Sequence, residues 1–170
     1  MATNFYMYFV AALIPMIVGA IYYHPKVVGT AWMKANHFTE DTLKEGNMAI
    51  IFGMAYLYSA MLALVLGTLV IHQASVAGLL IPEAMEPGHP IQKTFNELME
   101  QFGNRHRSFG HGAVHGVLLS LFFALPMVGI NALFERRGWK YILIHFIYWL
   151  ITLVSMGGLL CQTLEFGALS

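Results

Sequence analysis

The sequence predicts an all-α integral membrane protein with four transmembrane helices, and three observations predict it. Apolar residues make up 58% of the 170-residue chain and charged residues 11%, against roughly 25% charged in a soluble domain. Four apolar runs are long enough for a bilayer, which takes about 20 helical residues. None of them alternates with a period of two, as a membrane β-barrel strand would. A chain of this size has too little interior to hide so much apolar surface from water. Disorder is excluded by the same composition. A nucleic-acid partner is excluded because nine Lys+Arg balance nine Asp+Glu without a basic stripe. A lone Cys161 excludes a disulfide framework.

The chain reads as one transmembrane domain, residues 1–170, with helices at about 5–23, 48–72, 108–134 and 139–164. The first run holds no charge. It also lacks a basic leader and a small-residue cleavage site, so it reads as a retained helix. His24-Pro25 then stops it. Within the loop 24–47, Val28, Trp32 and Met33 suit the membrane interface. Thr39-Glu40-Asp41 reads as a helix N-cap with acidic first-turn residues, giving a short helix that ends at Gly46. The larger loop, 73–107, is punctuated by Pro82, Pro87, Gly88 and Pro90. Pro90 opens an amphipathic helix reaching Gly103. Ile91, Phe95, Leu98, Met99 and Phe102 form its apolar face. That face rests on the membrane or on the end of the bundle, or roofs a site there. A faint internal echo, Leu13–Gly19 against Leu125–Gly129, raises a parallel two-hairpin repeat beside coincidence.

Lys and Arg set the expected orientation. Lys26, Lys34, Lys44, Arg136, Arg137 and Lys140 lie on one side, and Lys93, Arg105 and Arg107 on the other. The bias places both termini outside (periplasmic) in a cell inner membrane. Loops 24–47 and 135–140 are then cytoplasmic. Arg136-Arg137 reads as anchoring to this side, with lipid binding as the alternative.

The stretch Gly19-Ala20-Ile21-Tyr22-Tyr23-His24-Pro25, then Gly29-Thr30-Ala31-Trp32-Met33, Thr39-Glu40-Asp41, Asn131-Ala132-Leu133-Phe134-Glu135-Arg136-Arg137 and Gly157-Gly158 resembles the bacterial domain-of-unknown-function family 1761. The resemblance covers most of the chain outside the outer loop. It implies a small four-helix membrane protein and carries no activity or catalytic residue.

Eight histidines in so apolar a chain call for explanation, because polar groups inside a bilayer are costly. His111 and His115 lie four apart, on one helical face, a spacing that lets two imidazoles share a metal. His72 and His106 fall at the same expected end, as do Cys161 and Glu165. The candidate metal ligands are therefore His72, His106, His111 and His115, with Cys161 and Glu165 as contributors. This donor set suits zinc, copper or iron. His145 lies six residues into the last helix from the opposite end, roughly 20 Å away in depth from His115. The competing reading makes His111, His115, Asn131 and His145 interhelical hydrogen-bonding residues or steps of a polar pathway. Cys161 reads more simply as a packed small side chain.

No P-loop, nucleophile elbow, dinucleotide fingerprint or HExxH is present. His111-Gly-Ala-Val-His115 lacks the glutamate of a metalloprotease. The sequence thus favours a non-enzymatic membrane component in the lipid bilayer, assembling as a homo-oligomer or with a larger membrane partner. Gly53, Ala60, Gly67, Gly112, Gly116, Gly157 and Gly158 are its packing residues. A small-solute or ion transporter or channel, and a metal-binding membrane protein, are the alternatives.

Overall fold

Residues 4–165 are described by the computed structural model, and these are helical, with no strand among them. Asn4 precedes α1 (Tyr6–Ala11) and α2 (Ile14–Tyr22). The two are separated only at Ala12-Leu13, where Pro15 has no N–H to return to Ala11. His24 then leaves helical geometry and its Nδ1 accepts from Lys26 N at 3.2 Å. From there a π-helical turn, Pro25–Gly29, feeds α3 (Thr30–Asn36). The axis bends by 56° between the two parts. Thr39 caps α4 (Glu40–Lys44), its hydroxyl accepting from Thr42 N.

The long α5 (Met48–Val70) is capped by the Asn47 side chain, which accepts from Ala49 N and Ile50 N. It stops at Ile71, which is extended (φ −109°, ψ 97°), and α6 (His72–Leu80) departs in a new direction. This differs from the expectation of one helix through His72 followed by loop. No Gly or Pro marks the break. Tertiary contacts hold it: Ile71 is buried in the core. Gln73 Nε2 donates to the Phe102 and Arg105 carbonyls, 2.8 and 3.0 Å away.

The predicted amphipathic helix is α7 (Pro90–Phe102), capped by His89. Its apolar face packs on α6 and on the 3-10 turn Glu83–Met85 that follows: Phe95 and Met99 join Ala77 and Ala84 in a separate small core, flanked by Ile91 and Leu98. Gln73 is the polar pin of this unit. Gln73→Ala is expected to raise amide hydrogen exchange across residues 90–107 while the long helices keep their protection. Unchanged exchange there would remove Gln73 from that role.

Next come α8 (Phe109–Leu119), a π-helical turn Ser120–Ala124 and α9 (Leu125–Phe134), which together form one apolar helix. Pro126 stands two residues past the π turn, as Pro15 stands two residues past the break in the first helix. The echoed segments thus share a proline-associated irregularity. α10 (Trp139–Thr163) closes the fold.

Glycines set the α8–α10 crossing. A Cβ on Gly112 would collide with the Gly157 carbonyl, and one on Gly116 with the Leu153 carbonyl. Around this contact a core forms from Leu66, Val70, Leu153, Met156 and Leu160, all nearly inaccessible. Three helices, Met48–Val70, Phe109–Phe134 and Trp139–Thr163, are long and apolar enough to cross a membrane, or up to four if the bent pair Tyr6–Tyr22 and Pro25–Asn36 counts as one span. Only 22%, 17% and 28% of their apolar windows is buried. The greasy surface therefore faces outward, as it does in a protein surrounded by lipid.

Candidate metal centre

Ser108 starts α8, its hydroxyl accepting from His111 N at 3.3 Å. His111 therefore sits in the first turn and His115 one turn later, on the same face. The break at Ile71 makes His72 the first residue of α6 rather than the last of α5. This turn aims it at α8. His72 Nε2 lies 3.0 Å from His111 Nε2, and His115 Nε2 lies 3.2 Å from that same atom. Each of the three histidines offers one nitrogen, all within 4.8 Å of one another. His111 and His115 are half-buried and His72 is exposed, so the group opens to one side.

His106 is beside the trio but not in it. Its ring stacks on His111, with centroids 4.9 Å apart and planes at 24°, and lies 6.1 Å from the His72 ring. It sits at a left-handed position (φ 62°). Its carbonyl accepts from the Cys161 thiol at 3.2 Å, and Arg107 Nε donates to the Cys161 carbonyl at 2.9 Å. Cys161 also approaches the Val70 carbonyl at 3.5 Å. It is fully buried and ties the ends of α5, α8 and α10 together. Its thiol faces carbonyl groups rather than the imidazoles. Glu165 is exposed past the end of α10, where its N–H donates to Asn4 Oδ1 at 2.9 Å. Neither residue belongs to the nitrogen trio.

The remaining predicted positions lie elsewhere. Asn131 is exposed on α9, about 20 residues and roughly 30 Å along the helix from His111. Its backbone carbonyl accepts from Glu135 N at the end of α9. His145 joins a separate cluster, its Nδ1 3.2 Å from the Tyr23 hydroxyl and its ring against Tyr141.

Sequence reasoning missed Gln73. Together with His72, Arg105, His106 and Phe102 it lines a cavity of about 250 Å³ beside the trio, under the end of α7. A Gln in an apolar α6 was the available signal.

A neutral imidazole Nε2 has one in-plane position, holding either a hydrogen or a lone pair. His111 Nε2 faces two other Nε2 atoms and cannot serve both with good geometry. A cation between the three would take one lone pair from each. At metal–nitrogen bonds of about 2.0–2.1 Å, two ligands of a tetrahedral ion stand roughly 3.3 Å apart. Two of the three separations, 3.0 and 3.2 Å, are close to that, and the third pair lies within 4.8 Å.

No curated protein and no solved structure matches this chain. A family model does, over residues 6–161, so the chain belongs to the protein family of unknown function DUF1761.

Proposed function

We propose that the chain is a four-span membrane protein that binds a single transition-metal ion through His72, His111 and His115. The observation carrying this reading is the meeting of three imidazole nitrogens around one point. Imidazole donors suit zinc, copper and iron alike. A three-histidine set leaves a fourth position for water or another ligand, and His106 and the adjoining cavity lie next to it. The Lys and Arg bias supports a cytoplasmic location for the Arg136-Arg137 end, which places the metal on the periplasmic side of an inner membrane.

The metal reading is preferred over a purely associative role for a specific reason. Gly112, Gly116 and Gly157, which suggested helix association, meet one another within the chain. They leave less small-residue surface for a second copy. A pathway through His111, His115 and Asn131 gains little from an Asn131 exposed at the far end of its helix.

Purification without chelators or a polyhistidine tag, reconstitution with zinc, copper or iron(II), and elemental analysis test the proposal. About one tightly held ion per chain is expected. Absence of stoichiometric binding for every metal would overturn it. Bound ligands must be unprotonated, so acid competes with the ion. Affinity is expected to fall as the pH is lowered from about 7.5 to about 5.5, because each imidazole that takes a proton loses the lone pair it would give the ion. An affinity independent of pH there would exclude histidine ligation.

A further inference from the structure

A cavity of about 750 Å³ lies between α2, α5 and α10 and takes no part in the histidine trio. Its volume is within the roughly 300–1,000 Å³ of ligand pockets. It begins near Met48, at the opposite end of α5 from His72. One wall is a run of aromatic rings: Tyr23 is 5.3 Å from Trp32 and 5.1 Å from Tyr148, and Tyr148 is 5.1 Å from Trp149, centroid to centroid. Small residues, Gly19 and Ala55 among them, keep the space open.

The polar atoms around it are few and specific. The Tyr148 hydroxyl is committed, donating to the Pro15 carbonyl at 3.0 Å. The Tyr23 hydroxyl pairs with His145 Nδ1 at 3.2 Å, while His145 Nε2 is buried without a partner among the described residues. Tyr58 also lines the cavity, midway along α5, and is 61% exposed. Among the described residues its hydroxyl has no hydrogen-bond partner. A phenol without an acceptor in hydrocarbon is costly. A saturated acyl chain filling the space would offer neither an acceptor nor a ring.

We propose that this cavity binds a lipid-soluble planar ring bearing a carbonyl oxygen, the chemistry of a quinone headgroup. The ring lies against the aromatic wall and the carbonyl accepts from Tyr58. The site is independent of the metal centre.

The test uses the full chain in lipid nanodiscs, titrated with a short-chain benzoquinone carrying one isoprenoid unit. The chain has three tryptophans. Trp139→Phe leaves Trp32 and Trp149, both in the cavity wall, as fluorescent reporters. Saturable quenching is expected. Tyr58→Phe is expected to weaken binding about tenfold, the loss of one hydrogen bond. Ala55→Phe, which fills the space, should abolish the saturable part. Gly19→Leu is a second filling variant should Ala55→Phe not fold, with helicity by circular dichroism as the check. Quenching that rises linearly with quinone in the bilayer would overturn the proposal. So would saturable quenching insensitive to filling, or equal displacement by a saturated ester of the same size.

Discussion

His111→Ala is expected to abolish stoichiometric metal binding, leaving less than about a tenth of an ion per chain under conditions that load the unaltered protein. His111 Nε2 is the atom that both other imidazoles approach, at 3.0 and 3.2 Å. Without it only two nitrogens face the point where an ion would sit, and a two-ligand site in competition with water holds transition metals weakly. The fold should survive, because alanine is the better helix former and His111 is only half-buried. His106→Ala is the informative companion. Its ring stacks on His111 without joining the trio, so a change of a few-fold at most is expected. Elemental analysis and chelator competition read both. Full metal occupancy in His111→Ala would remove the trio from consideration. Loss in His106→Ala equal to that in His111→Ala would put His106 among the ligands.

Gly112→Leu is expected to be the most destabilising substitution in the long helices, costing more than about 3 kcal/mol. The added Cβ runs into the Gly157 carbonyl and lies 2.5 Å from the Cys161 Cβ, so backbone rather than a flexible side-chain tip must move. The same displacement would carry α8, with His111 and His115, away from α10. Metal binding should then be lost together with stability. Gly53→Ala is the control. Nothing lies within 4 Å of a Cβ there, and the residue is inside α5. Alanine should stabilise by up to about 1 kcal/mol through helix propensity alone. Thermal unfolding in detergent separates the two. Equal midpoints for Gly112→Leu and the unaltered chain would mean that the α8–α10 crossing does not depend on glycine.

The readable parts of the fold are those set by local pattern. Thr39 occupies an N-cap and Pro90 opens α7, each for a chemical reason visible within three or four residues. The stop at His24-Pro25 is equally local. The break at Ile71 is not. An isoleucine in an apolar run predicts continued helix, and only its burial and the grip of Gln73 on the far end of α7 favour the extended backbone there. The fate of the apolar face of α7 was similarly open. Its periodicity specifies a face, whereas its partners, α6 and the turn Glu83–Met85, had no sequence signature of their own.

The candidate site divides the same way. The i, i+4 spacing alone puts His111 and His115 on one face. Four imidazoles and two further donors were then eligible by depth. His72 enters because α6 starts where it does. His106 is held back by the left-handed turn and the Cys161–carbonyl contact, and Cys161 itself is taken up with backbone oxygens.

Hydropathy, cap chemistry and helical periodicity are properties of neighbouring residues, so the chain alone determined that this protein is helical, apolar on its exterior and marked by histidines near one end of its long helices. Which of those histidines meet depends on angles and distances between helices far apart in sequence. The glycine contact of α8 with α10 and the unmarked break before His72 decided that, because close packing is a relation between segments and no single stretch encodes it.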